Sequence, residues 1–239
     1  MAETLLEVDG LVKRFGGFTA LNGVTLHVKR GERFGLIGPN GSGKTTLINC
    51  VSGALPTDGG RILFEGRDIT QLPAHQRTRL GIVRSFQIPK PFTSMTVLEN
   101  LGIPLEYAAH SRSGEAAAGA LDTLRMIGLE TKAQLRPAGL TQIEMRKLEL
   151  ARAMAARPKL LISDEAMAGL SSAEVDDILT ILFRLNEQGI TIIMIEHIMR
   201  AVMRFSERIV VLDAGNRIAE GTPAEIVRNP AVEKAYLGE

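Results

Sequence analysis

Short runs of apolar residues alternate along this chain with longer segments in which apolar positions recur at helical spacing. Two short runs, Leu160–Asp164 and Thr191–Ile195, are almost continuously apolar, which is typical of parallel strands covered on both faces. Arg33–Ile37 is predicted to be a further strand, followed by a helix over Lys44–Ser52. The alternation therefore predicts an α/β fold built on a parallel sheet.

A helix is predicted between the two continuous apolar runs. Ser171 or Ser172 can cap its first turn, and Gly189 can end it. Its apolar stripe consists of Val175, Ile178, Leu179, Leu182 and Leu185.

Two other parts of the chain depart from this alternation. Residues 5–8, 24–28 and 61–65 predict a smaller antiparallel β layer with glycine-rich turns, and Arg208–Asp213 predicts a late strand with a hairpin. The middle of the chain, residues 96–156, has a helical pattern with one polar break at residues 111–115. We therefore expect a helical insert in an α/β core.

Composition sets limits on the class of protein. The 239 residues carry 28 basic and 27 acidic side chains, so no general attraction to nucleic acid is implied. Cys50 is the single cysteine, which excludes a disulfide scaffold and fits a reducing compartment. The strongest apolar run, residues 190–195, is far shorter than the roughly 20 residues of a spanning helix. A soluble or peripheral protein without a signal peptide is expected, with any membrane role supplied by a partner.

A glycine-rich loop carries the strongest chemical signal. The segment Gly38-Pro-Asn-Gly-Ser-Gly-Lys-Thr45 fits the pattern G-x-x-x-x-G-K-[ST] between a predicted strand and helix. In such a loop, backbone N–H groups and the helix N-terminus surround phosphate oxygens. Lys44 would bridge the β- and γ-phosphates, and the Thr45 hydroxyl would bind Mg²⁺. The candidate ATP-binding residues of the loop are Gly38, Pro39, Asn40, Gly41, Ser42, Gly43, Lys44, Thr45 and Thr46.

Polar residues at the ends of two predicted strands complete a candidate site. Asp164 and Glu165 follow one apolar run, so Asp164 is expected to hold Mg²⁺ through a water and Glu165 to polarise the attacking water. His197 follows the next run and is expected to contact the γ-phosphate. Gln87 could reach Mg²⁺ or the water, and Phe15 could stack on a base.

These segments, in this order, resemble the ATP-binding-cassette (ABC) ATPases over the whole chain. The resemblance implies the ABC ATPase fold, with residues 1–87 and 158–239 as the nucleotide-binding core and 88–157 as a helical subdomain. It implies ATP and Mg²⁺ as cofactors. Its implied catalytic residues are Glu165, His197, Gln87 and Lys44, its metal ligands are Thr45, Gln87 and Asp164, and its base-stacking aromatic is Phe15.

Within this family the chain is similar to ATPase subunits of branched-chain, or hydrophobic, amino acid importers. The similarity lies in residues 86–92, 96–100, 167–170, 195–197 and the tail from 219 onward. It implies an ATPase docked under two permease subunits on the cytoplasmic membrane face. It also implies a second ATPase subunit, often a different chain, and a separate solute-binding protein. The ATPase of a lipopolysaccharide exporter has a similar tail and remains an alternative.

The family signature Leu-Ser-Gly-Gly-Gln is altered in this chain. It corresponds to Leu140, Thr141, Gln142, Ile143 and Glu144, and neither glycine is kept. Ala166 also replaces the usual proline after the catalytic glutamate. The altered signature favours a heterodimer in which the other chain supplies a more standard signature, with a homodimer whose altered signature still works as the alternative. The altered signature also leaves open a regulatory subunit with little turnover, although Glu165 and His197 argue against it. A cytosolic ABC protein that acts on ribosomes or DNA is another alternative. Such proteins usually have two cassettes in one chain or a long coiled coil, and this sequence has neither.

Overall fold

The computed structural model describes residues 3–85, 89–107 and 113–237. The strands are β1 (Thr4–Phe15), β2 (Phe18–Lys29), β3 (Arg33–Ile37), β4 (Gly59–Phe64), β5 (Arg67–Asp68), β6 (Ile82–Ser85), β7 (Leu160–Asp164), β8 (Thr191–Ile195), β9 (Arg208–Asp213) and β10 (Asn216–Gly221). The helices are α1 (Lys44–Ser52), α2 (Ala74–Leu80), α3 (Val97–Tyr107), α4 (Ser113–Ile127), α5 (Gln142–Ala155), α6 (Ser172–Glu187), α7 (Met199–Phe205), α8 (Pro223–Val227) and α9 (Pro230–Leu237). No helix in these ranges has both the length and the apolar character that a bilayer span requires.

The larger sheet positions the candidate site. Its strand order is β10-β9-β3-β8-β7-β6, and all neighbouring strands are parallel except β10 and β9, which form a hairpin. Every residue of β7 and β8 is buried, which explains their continuous apolar sequence. The predicted α/β fold with a parallel sheet is thereby confirmed.

The smaller sheet is antiparallel, with strand order β2-β1-β4-β5, as the sequence predicts. Its first two strands are longer than predicted, since β1 and β2 each contain 12 residues. The pairing of β1 with β2 shifts register between Val8 and Leu11, and Gly10 there has a φ of 57°. Such an irregularity interrupts the alternation of buried and exposed side chains, so the pattern ends before the strand does.

The helical insert consists of α3, α4 and α5, which pack on one another. Helix α4 already begins at Ser113, so the predicted polar break at residues 111–115 is wrong for its last three positions. The division of the chain at residues 88 and 157 remains a prediction.

Helix α6 follows the predicted pattern closely. Ser171 is its N-cap, and a capping box joins Ser171 to Glu174. The helix ends at Glu187, two residues before Gly189, whose φ is 90°. Its predicted apolar stripe, Val175, Ile178, Leu179, Leu182 and Leu185, is buried.

Candidate nucleotide site

The glycine loop connects the end of β3 to the start of α1. Gly38 has a φ of 151°, and a Cβ atom there would lie 2.1 Å from the carbonyl oxygen of Leu212. Gly43 has a φ of 105°, and a Cβ atom there would lie 2.8 Å from the carbonyl oxygen of Ala20. Backbone conformation and space thus both require glycine at these two positions. The loop therefore lies at the carboxyl end of β3, with its backbone close to neighbouring strands.

Lys44 lies inside this loop and is only 6% exposed. Its Nζ donates hydrogen bonds to the carbonyl oxygens of Gly38 at 2.7 Å and Pro39 at 3.0 Å. Burial lowers the pKa of Lys44, while the carboxylates of Glu165 and Asp164 act in the opposite direction. The Lys44 side chain is therefore held at the centre of the loop by the loop's own carbonyl oxygens.

Asp164, at the end of β7, is buried and forms an ion pair that the sequence alone does not reveal. Nη2 of Arg84 lies 2.5 Å from Oδ2 of Asp164, and Nε of Arg84 donates to the same oxygen at 3.2 Å. Nη1 of Arg84 donates to Oδ1 of Asn49 on α1 at 2.6 Å. Arg84 thus connects the acidic strand to the helix that follows the phosphate loop.

Glu165 and His197 meet across the ends of β7 and β8. The distance between Oε1 of Glu165 and Nε2 of His197 is 3.0 Å. The backbone N–H of Glu165 donates to the carbonyl oxygen of Ile195 at 2.9 Å. Glu165 has a φ of 48°, in the left-handed region that a non-glycine residue seldom adopts. This turn directs the carboxylate towards the neighbouring strand end.

A cavity of about 260 Å³ brings most of the predicted residues together. Its lining includes the phosphate loop from Asn40 to Thr46, together with Glu165 and His197. Phe15 lies at its mouth and is 47% exposed, with Nζ of Lys13 5.5 Å from the ring centre. Phe18, which the sequence analysis did not single out, pairs with Phe15 across the hairpin and is 62% exposed. Two accessible aromatic rings therefore stand beside the loop.

The predicted residue Gln87 lies outside the described residues. The altered signature at residues 140–144 is described, and it does not line this cavity. The oxygen Oγ1 of Thr141 accepts from the backbone N–H of Glu144 at 3.4 Å, and Oε2 of Glu144 accepts from the N–H of Thr141 at 2.9 Å. This reciprocal pair is a capping box.

The charge of Glu144 is balanced inside its own chain, which the sequence did not indicate. Nζ of Lys132 lies 2.6 Å from Oε1 of Glu144. The hydrogen bond from Lys132, together with that from Thr141, lowers the pKa of Glu144. The carboxylate is therefore ionised at neutral pH, but its negative charge has a local counter-ion. A phosphate held by a partner subunit would therefore be repelled less by Glu144 than by a carboxylate without a counter-ion.

A glycine loop joining a strand to a helix, with carboxylates at the end of a nearby strand, defines a P-loop nucleotide-binding protein. A family model described as "ABC transporter" matches residues 21–168. A second model, described as "Branched-chain amino acid ATP-binding cassette transporter", matches residues 216–239. The chain belongs to the ABC transporter family.

Relatives of known name are similar over the full chain. The chain is 40% identical to BraF of Pseudomonas aeruginosa, a high-affinity branched-chain amino acid transport ATP-binding protein, over 100% of both proteins. It is 40% identical to LivG of Salmonella typhimurium, again over 100% of both. It is 41% identical to a probable LivG of Archaeoglobus fulgidus, covering 98% of this chain and 95% of that one.

Solved structures of ATP-binding cassettes have the same fold. A nucleotide-free cassette from an ABC transporter has a TM-score of 0.90 and 34% identity, covering 99% of this chain and 100% of that one. An ADP conformation of a cassette has a TM-score of 0.90 and 35% identity, covering 99% of both. A dimeric bacterial cassette has a TM-score of 0.82 and 28% identity, covering 92% of this chain and 99% of that one. These findings confirm the predicted ABC ATPase fold.

Proposed function

We propose that this chain binds and hydrolyses ATP with Mg²⁺ and thereby powers import of branched-chain or other hydrophobic amino acids. One observation carries the proposal. The Glu165 carboxylate lies 3.0 Å from the His197 ring and lines the same cavity as the phosphate loop. A base and a second polar group beside a phosphate site suit the activation of water against a terminal phosphate.

The phosphate loop and the aromatic pair account for ATP binding in this proposal. Lys44 and the backbone N–H groups of residues 38–46 would hold the phosphates. The exposed rings of Phe15 and Phe18 are available for stacking on the base. The Thr45 hydroxyl would bind Mg²⁺ directly and the Asp164 carboxylate would hold it through a water, with Gln87 a further candidate. Hydroxyl and carboxylate oxygens are the hard donors that Mg²⁺ prefers, so this donor set fits the metal.

Hydrolysis would depend on the meeting of two strand ends. Glu165 would accept the proton of the attacking water, and His197 would contact the γ-phosphate while orienting the Glu165 carboxylate. When bound, Mg²⁺ neutralises charge on the phosphates. Asp164, fixed by Arg84, would hold the metal side of the site in place.

The assignment of the cargo is supported by the relatives. BraF and LivG are named for branched-chain amino acid transport, and the second family model matches this chain's tail, residues 216–239. We infer that this chain serves the same class of solute, although the solute itself would bind to other subunits. A separate solute-binding protein would deliver it.

A surface groove is the proposed permease contact. Phe92 and Tyr107 are exposed beside a groove of about 370 Å³ whose lining also includes Pro104. Asn100 is fully buried, and its side chain bonds both the N–H and the carbonyl of Phe92. Met95 is half-buried. An apolar patch on a firmly held loop suits docking of a membrane subunit, which would place this chain at the cytoplasmic membrane face.

A second ATPase subunit completes the proposed assembly. A bacterial cassette of this fold, 28% identical to this chain, is dimeric in its solved structure. The altered signature favours a different chain as the partner rather than a second copy. No nucleic acid partner is proposed, because the formal net charge is only +1.

Reconstitution tests the proposed function. The assembled complex is placed in lipid vesicles, and ATP hydrolysis and uptake of labelled leucine are measured together. We expect leucine uptake to require ATP and to be lost with Lys44→Ala, because phosphate binding depends on this ammonium group. Vesicles that hydrolyse ATP without taking up any branched-chain or other hydrophobic amino acid would contradict the proposed cargo and leave the ATPase assignment intact.

A further inference from the structure

Glu196 is a buried carboxylate between the two strand ends that carry the candidate catalytic residues. It follows β8 directly, precedes His197, and is only 3% exposed. It does not line the nucleotide cavity. A buried carboxyl group costs free energy unless its oxygens are hydrogen-bonded, so its contacts need an explanation.

The contacts of Glu196 join the two loops that follow β7 and β8. Its Oε1 accepts a hydrogen bond from the backbone N–H of Met167 at 2.9 Å, and this bond is buried. The backbone N–H of His197 also acts on this carboxylate, in the direction that lowers its pKa. Met167 is itself fully buried and stands two residues after Glu165. The Glu196 side chain, which belongs to the loop after β8, therefore holds backbone of the loop after β7.

The loop after β7 requires such support. Glu165 has a φ of 48°, a conformation that costs a non-glycine residue free energy. Ala166 comes next and, unlike a proline, does not fix its own φ. The backbone N–H of Met167, two residues after Glu165, donates a hydrogen bond to Glu196. The bond therefore restrains the backbone that aims the Glu165 carboxylate at His197.

We propose that Glu196 is a positioning residue that holds Glu165 and His197 together for ATP hydrolysis. The proposal rests on the hydrolytic function proposed above. Glu196 acts through the hydrogen-bond acceptor that it offers to Met167, and it does not touch the nucleotide. Glutamine can supply the same acceptor with the same shape, whereas alanine cannot.

The first test compares kinetics of three variants in the assembled complex. We expect Glu196→Ala to lower kcat for ATP about 10- to 100-fold with KM changed less than about twofold, since displacement of about 1 Å at a catalytic group can cost this much. Glu196→Gln should keep at least roughly a third of the wild-type kcat, because the acceptor oxygen remains.

Thr191→Val is the matched control. Thr191 is fully buried at the opposite end of β8, and its Oγ1 accepts from the backbone N–H of Gly31 at 2.8 Å. Like Glu196→Ala, this variant removes a side-chain oxygen that accepts a hydrogen bond from a backbone N–H. Thr191, however, lies far from Glu165 and His197. We expect it to lower thermal stability while kcat stays near wild type.

A second readout does not depend on turnover. His197 is one of four histidines, so its ring signals can be assigned by NMR on the labelled full-length chain. Loss of the Glu165 contact in Glu165→Ala should shift these signals. Glu196→Ala should shift them in the same direction, and Glu196→Gln should leave them in place.

Three outcomes would overturn the proposal: an unmoved His197 signal in Glu196→Ala, equal impairment of Glu196→Gln and Glu196→Ala, or an equal kcat loss in the Thr191 control. If the wild-type complex has no ATPase activity, the proposed function fails, and the NMR result still decides whether Glu196 holds the two loops together.

Discussion

Arg84 and Asp164 form a buried ion pair at the ends of neighbouring strands, with 2.5 Å between Nη2 and Oδ2. The two side chains are 13% and 9% exposed, and the guanidinium also bonds Asn49. Removal of one partner leaves the other charge buried without its counter-ion, which is costly. The pair therefore has a structural role in addition to any part in metal binding.

Replacement of Arg84 tests that role. We expect Arg84→Met to reduce the free energy of unfolding by about 3 kcal/mol, since Asp164 is left as an uncompensated buried carboxylate. Urea unfolding of the purified chain measures this. Arg61→Met is the control, because the Arg61–Asp9 pair is exposed and its loss should cost less than about 1 kcal/mol. Equal losses in the free energy of unfolding for the two substitutions would show that the buried Arg84–Asp164 pair stabilises the fold no more than an exposed pair.

Glu165→Gln should separate ATP binding from hydrolysis. Loss of a general base usually costs about 10²–10⁴ in rate, whereas the phosphate loop and the Mg²⁺ ligands are untouched. We therefore expect ATP affinity within about threefold of wild type and an ATP-bound dimer that accumulates. Nucleotide binding and turnover are measured in the assembled complex. Unchanged turnover would remove Glu165 from the catalytic role.

The stability of the chain should depend on pH through Glu196. Burial, together with the nearby Glu165 and Asp164 carboxylates, raises the pKa of Glu196 from 4.5 to about 7, although the bond from Met167 acts in the opposite direction. Between pH 4.5 and 7 the folded chain keeps a proton that the unfolded chain releases, so stability falls as pH rises through this window. The full effect is about 3 kcal/mol.

Glu196→Gln removes this dependence, because glutamine does not ionise. At pH 8 we expect the variant to be more stable than wild type by about 2–3 kcal/mol, and at pH 4.5 to match it. Urea unfolding without nucleotide or Mg²⁺ is the measurement. A difference that is the same at both pH values would show that the ionisation of Glu196 is not responsible.

The altered signature should limit what this chain gives to its partner. The capping box already uses the N–H groups of Thr141 and Glu144, which leaves fewer donors at the start of α5 for a phosphate. We expect the chain to hydrolyse ATP at its own phosphate loop when its cognate second ATPase is present, and to be weakly active alone.

A restored signature supplies the matched comparison. With Leu-Ser-Gly-Gly-Gln at residues 140–144, we expect the ATPase rate of the homodimer to rise about tenfold, which corresponds to about 1.4 kcal/mol of activation free energy. The rate of the heterodimer should change less. ATPase rates are measured for the unaltered chain and for the restored variant, each as a homodimer and with the second ATPase. Full activity of the unaltered homodimer, with no gain on restoration, would show that the two sites are equivalent.

The permease contact can be tested by crosslinking. The native Cys50 is buried, and burial raises the pKa of its thiol to about 11, so it should react little. A cysteine at Phe92 should crosslink to the membrane subunit in the assembled complex. A cysteine at Val227, which is 69% exposed on the C-terminal part of the chain, is the control. Crosslinks from position 227 but none from position 92 would disprove the proposed surface.

The elements of this fold that depend on neighbouring residues could be predicted from the sequence. The contacts between residues distant in the sequence could not. The phosphate loop, β7, β8 and the Ser171 cap each depend on neighbouring residues, so their patterns are visible in the chain. Arg84 meets Asp164 only because β6 lies beside β7, and Lys132 meets Glu144 only through packing of the insert. Such pairs have no local signal, which is why Arg84 and Glu196 were not anticipated.

The order of strands in the larger sheet has a consequence for biosynthesis. Strand β3, which carries the phosphate loop, lies between β8 and β9, although both follow it by more than 150 residues. At roughly 5–20 residues per second on the ribosome, the loop emerges on the order of ten seconds before its neighbours are made. A nascent chain that ends before β8 leaves both edges of β3 unpaired, so the larger sheet cannot close around the phosphate loop until β8 and β9 have been made.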